Sequence, residues 1–140
     1  MANLHNYHGR YCEAEFESTF LSYLEEAGWS YLAGSSLPRS SMRDVLYTDD
    51  MEFFLNRTNP DLTADEIQQI MDTVRLAGAE SDFATLHKVY DWMVNGIQFT
   101  PQAALPRMVN LIEFEDPEKN VFRAVNQFTV EYTNTGQTQT

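Results

Sequence analysis

The apolar residues of this chain change period at Gly96, and that change calls for a fold in which helices are followed by strands. From Glu13 to Ala27, Phe16, Phe20, Leu21, Leu24 and Ala27 recur at helical spacing, and Gly28 is placed to cap the end. Trp29 to Leu32 reads as a short strand, and Gly34 to Ser41 as a loop rich in Gly, Ser and Pro. A second helical stretch from about Met42 to Leu55 is closed by Asn59-Pro60. Thr63 and Glu66 form a capping-box sequence ahead of Ile67, Ile70, Met71 and Val74, the strongest local helix signal in the chain. Ser81 or Asp82 can cap a further helix with Phe83, Leu86, Tyr90 and Met93 on one face, ended by Asn95-Gly96. Beyond it lie predicted strands at Ile97 to Thr100, Val109 to Phe114 and Val121 to Tyr132. The last alternates, with one face apolar apart from Asn126.

At 140 residues, 43% of them hydrophobic, the chain is the size of one ordinary domain and can bury a core. No linker or repeat divides it, so a single domain over 1–140 is expected, with 1–12 and 133–140 flexible. No stretch approaches the roughly 20 apolar residues of a membrane span. The polar first residues do not resemble a signal peptide, which points to the cytoplasm. A single cysteine, Cys12, excludes an intramolecular disulfide. The 21 acidic and 9 basic residues give a formal charge of −12, which repels a phosphate backbone.

Two of those acids stand out. With Phe16 set to zero on a helical wheel, Glu13 and Glu17 fall at about 60° and 100°, inside the arc of Phe20, Leu24 and Leu21. Carboxylates on a face that ought to be buried cost free energy unless they meet a cation, a metal or each other's proton. They are therefore either at a water-lined helix edge or the acids of a metal or active site. His5, His8 and Cys12 lack a fourth ligand and a scaffold for a metal. His87, beside Leu86 and Tyr90, reads as a packing or surface histidine and not as a base. No glycine-rich phosphate loop, nucleophile elbow or zinc pattern occurs. The only lysines, Lys88 and Lys119, have no carboxylate two residues before them.

Several segments in order, EAEFESTFLSYLEEAGW (Glu13 to Trp29), LNRTNPDLTADEI (Leu55 to Ile67), NGIQFTP (Asn95 to Pro101) and LIEFEDPEKNVFRAVNQFTVE (Leu111 to Glu131), resemble the N-terminal region of the R subunit of type I restriction endonucleases. The likeness covers nearly the whole chain apart from its ends. The pattern D-P-E-x-N-x-F-x-x-x-N-Q-F-T-V, from Asp116 to Val130, is its most specific part. It implies a mixed α/β nuclease domain of the PD-(D/E)xK kind, with helices over the first two thirds and then the strands of an incomplete restriction-endonuclease-like sheet. In such a domain an aspartate and a Glu-x-Lys pair bind magnesium and activate water. A first-helix glutamate often faces the metal, and Glu17 holds the matching place, with Glu13 the weaker candidate. In the family, Arg-Pro-Asp and the Glu-x-Lys strand follow Asn-Gln-Phe-Thr-Val, whereas this chain stops at Thr140, before both; Pro60-Asp61 begins a turn and is a decoy. The resemblance thus implies a catalytically incomplete piece needing no cofactor of its own. Its parent would use magnesium and ATP to cleave and translocate DNA, together with modification and specificity subunits.

Two other readings fit the acidity. One is an antirestriction protein that mimics DNA, which would need carboxylates spread at phosphate-like intervals over an exposed surface. The other is a docking module for other subunits or domains.

Overall fold

The computed structural model describes residues 12–39, 41, 46–79 and 82–131. His5, His8 and the expected polar tail at 133–140 lie outside them, as do the first residues of the expected second helix. The described chain is mixed α/β, with helices α1 (Glu13–Glu26), α2 (Thr48–Thr58), α3 (Ala64–Arg75) and α4 (Asp82–Asn95). Four short strands accompany them: β1 (Ser30–Ala33), β2 (Ile97–Phe99), β3 (Arg107–Val109) and β4 (Arg123–Asn126). Two compact units result, one from residues 1–43 and 122–140 and the other from 44–121.

The second unit holds the main core. Glu66 accepts from the Thr63 backbone N–H at 2.8 Å while the Thr63 hydroxyl accepts from the Glu66 N–H at 3.3 Å, which completes the predicted capping box. That start fixes the roll of α3, so Ile67, Ile70 and Met71 are buried as their spacing requires. They pack with Phe54 and Leu55 of α2, with Leu62, and with Ile97 and Val109, which face each other across the antiparallel pair β2 and β3. Gly96 ends α4 at φ +82°, where a Cβ would lie 2.7 Å from the Val109 carbonyl oxygen. Only glycine fits that approach.

α4 itself departs from expectation. Phe83, Leu86, Tyr90 and Met93, read as its inward face, are exposed, Phe83 by 80%. The half-buried side holds Ala84, Thr85, Lys88, Val89 and Trp92, and Trp92 packs on the core. The Thr85 hydroxyl donates to the Ala77 carbonyl at 3.1 Å and sets this roll at the start of the helix. A wheel drawn on aliphatic spacing gives no weight to that bond or to the large ring of Trp92.

The first unit joins α1 to a two-stranded parallel sheet of β1 and β4, in which Ser30 pairs with Arg123 and Ala33 with Asn126. Gly28, at φ +91°, ends α1. The Gly28 N–H donates to the Glu25 carbonyl and that of Trp29 to the Leu24 carbonyl, the paired bonds of a Schellman cap. Phe16 and Phe20, expected to point inward, are exposed and stack on each other at 6.4 Å. The half-buried positions of α1 are Glu17, Leu21 and Leu24, because two strands cover only a narrow arc of a helix.

The strands are shorter than predicted. The run expected from Val121 to Tyr132 is regular only over Arg123–Asn126, because Gln127 turns to φ +49° and ends the extended chain. The strand expected from Val109 to Phe114 ends at Val109. Asn120 organises the chain between β3 and β4: its side chain accepts from the Glu113 N–H at 2.8 Å and donates to the Glu113 and Pro117 carbonyls. The Asp-Pro-Glu-Lys-Asn segment is thus held as a turn by its own asparagine. No helix among the described residues is long and apolar enough to cross a membrane.

Candidate functional site

Between α1 and the β1–β4 pair lies a cleft of about 310 Å3, lined by Ala14, Glu17, Ser18, Leu21, Ser22, Glu25, Tyr31 and Asn126. Glu17 reaches it from the half-buried face of α1, one turn before Leu21. Glu13 is exposed and does not line it. The wheel placed both acids inside one apolar arc, and the two part company because the sheet meets α1 nearer Glu17.

The strands supply the opposite wall. Alternation puts Tyr31 and Ala33 on one face of β1 with Ala124 and Asn126 beside them on β4. The Tyr31 hydroxyl crosses diagonally and donates to Asn126 Oδ1 at 2.9 Å. Its oxygen thus engaged, the carboxamide turns its nitrogen away, and that nitrogen has no protein partner among the described residues. Sequence reasoning did not assign Tyr31 or Asn126 to a site. The signal was present, since Asn126 is the polar exception on the apolar face of its segment.

Neighbouring contacts hold this wall in place. A Cβ on Gly34 would lie 2.5 Å from the Asn126 carbonyl oxygen and 2.6 Å from that of Gln127, so the chain after β1 packs directly on the end of β4. Trp29 and Phe122 meet at 5.3 Å. Arg39 covers the Phe128 ring at 4.2 Å and donates to the Thr129 carbonyl at 2.8 Å.

Other acids have structural work. A second concavity, of about 460 Å3, is lined by Thr63, Asp65, Glu66, Gln69, Phe99, Thr100 and Gln102. Its buried acid, Glu66, is saturated, since it also accepts from the Gln102 N–H at 2.8 Å. The backbone N–H groups of Thr63 and Gln102 hold its carboxyl below the ordinary value of 4.5. Asp61, the decoy beside Pro60, pairs with both terminal nitrogens of Arg107, at 2.8 and 3.0 Å, and its carboxyl is lowered by those bonds. His87 and Cys12 are exposed. Among the described residues no three histidine, cysteine, aspartate or glutamate side chains are grouped to hold a metal.

Comparison with known proteins adds a family. The model of the type I restriction enzyme R protein N terminus matches residues 10–139. The chain is 31% identical over 125 residues to a putative type I restriction enzyme MjaIXP endonuclease subunit of Methanocaldococcus jannaschii, a match covering 83% of this chain and 12% of that protein. It is 26% identical over 132 residues to the type I restriction enzyme HindI endonuclease subunit of Haemophilus influenzae, covering 84% of this chain and 12% of that one. The chain thus spans about 12% of the length of these curated relatives. No solved structure gives a significant match.

Proposed function

Because the chain belongs to the family of type I restriction enzyme R protein N termini, we propose that it forms the opening part of a nuclease domain in which Glu17 is a metal-facing acid. The observation that carries this reading is the place of Glu17, a carboxylate on the sheet-facing side of α1 at a cleft. A carboxylate in that position is unfavourable for packing and suited to a cation. Glu13, exposed and outside the cleft, has no part in the proposal.

In this reading β1 and β4 begin a PD-(D/E)xK sheet. Magnesium takes hard oxygen ligands, commonly one or two carboxylates with substrate phosphates and water. Glu17 is a donor of that kind, yet the described residues group no three such side chains. In this reading the remaining magnesium ligands would come from the aspartate and Glu-x-Lys pair of the longer R protein. For the longer R protein the proposal includes magnesium-dependent cleavage of DNA, ATP-driven translocation, and assembly with modification and specificity subunits. These 140 residues contain no glycine-rich phosphate loop, so the nucleotide chemistry would belong elsewhere in that protein.

The test is direct. Purified 140-residue chain, incubated with magnesium and plasmid DNA, is expected to leave the DNA intact. Joined to the R-protein segment carrying the aspartate and Glu-x-Lys pair, it is expected to cut. Cleavage by the 140 residues alone would overturn the proposal.

A further inference from the structure

We propose that Asn126 is a phosphate-contacting residue of the Glu17 cleft, its carboxamide nitrogen donating to a non-bridging oxygen of a DNA phosphodiester. The assignment rests on the nuclease reading above and names the group of the substrate that this wall of the cleft meets.

Among the polar groups of the cleft, two carboxylates, Glu17 and Glu25, come from α1 beside the hydroxyls of Ser18 and Ser22, and an amide comes from β4. Tyr31 fixes which end of that amide is offered: its hydroxyl occupies Oδ1, so the Nδ2 hydrogens are the free end. Amide N–H groups are donors and suit an oxyanion, whereas carboxylates suit a cation. A phosphodiester entering with its counter-cation satisfies both walls together. A simple packing role accounts for less, since Asn126 interrupts an otherwise apolar face and its nitrogen has no protein partner among the described residues.

The amide is also held in place. Gln127, directly after it, adopts φ +49°, a conformation that non-glycine residues enter only when the surroundings impose it. Gly34 lets the chain pack against the Asn126 and Gln127 carbonyls, and Arg39 secures the segment beyond. Backbone held in this way is what a fixed donor requires.

The experiment is a titration of the 140-residue chain with a thymidine dinucleotide, which contains one phosphodiester. Thymidine is the control, and magnesium chloride is kept constant to screen the carboxylates. The side-chain amide resonances of Asn126 are expected to move with the dinucleotide and to ignore thymidine. Tyr31→Phe frees the carboxamide to turn and should weaken the response about tenfold. Asn126→Asp should abolish the dinucleotide-induced shifts of the β4 backbone amides, with unchanged α1 backbone resonances reporting an intact fold. Asn126 amides that ignore the dinucleotide in folded wild-type chain, or Tyr31→Phe binding at wild-type strength, overturn the assignment. The metal reading is scored separately, by magnesium-dependent DNA cleavage in an R protein carrying Glu17→Gln. Undiminished cleavage there with a responding Asn126 removes that reading and leaves this one, and the reverse removes this one alone.

Discussion

Glu66 shows how much a single side chain can organise. One carboxylate closes the start of α3 and also receives the Gln102 backbone N–H from 36 residues further along. Because its folded pKa is lowered, its contribution is present above the ordinary carboxylate value and is lost as pH falls through the folded value. Asp61 acts in the same direction through Arg107. The urea midpoint is therefore expected to fall on acidification through and below the ordinary 4.5, and Glu66→Gln should flatten that fall. An equal acid dependence in wild type and variant would count against this role. Thr63 and Glu66 were legible because a capping box is local, whereas the bond to Gln102 spans the fold. Gly96 offers a second check: Gly96→Ala should destabilise by about 1–2 kcal/mol from its left-handed backbone alone. The approach to Val109 adds to that cost, and thermal unfolding measures the sum.

At the scale of elements, the sequence identifies each helix better than it identifies the roll of each helix. α3 was readable on both counts, since its cap and its apolar spacing agree. α4 was readable as a helix and not as a face, because the Thr85 to Ala77 bond and the ring of Trp92 decide its orientation. On α1 the apolar arc was wide and the sheet covers part of it, leaving Phe16 and Phe20 outside and Glu17 within. The last strand was overextended because a left-handed Gln127 has no sequence signature as clear as glycine's. These rolls are testable by contrast. Leu55→Ala removes a side chain with no exposed surface and should cost about 2–5 kcal/mol. Leu86→Ala, at a position 70% exposed, should change stability by no more than about 0.5 kcal/mol. Denaturant unfolding that gave the two similar costs would show that α4 is turned the other way.

For the whole molecule, family and mixed α/β class were legible because ordered segments, above all Asp116 to Val130, carry the likeness. Much of that last segment now has a structural account. Asn120 clamps the turn, Phe122 packs on Trp29, Asn126 accepts from Tyr31, and Phe128 lies under Arg39. The separation into two compact units was not legible, since no composition change marks residues 43–44 or 121–122. The charge of −12 gives these residues no basic surface for a phosphate backbone. The central claim, that Glu17 faces the metal of the R-protein nuclease, is tested most directly by magnesium-dependent DNA cleavage in an R protein carrying these residues. Glu17→Gln should lower the cleavage rate by roughly a hundredfold while Glu13→Gln leaves it near wild type. Cleavage undiminished by Glu17→Gln would contradict the account.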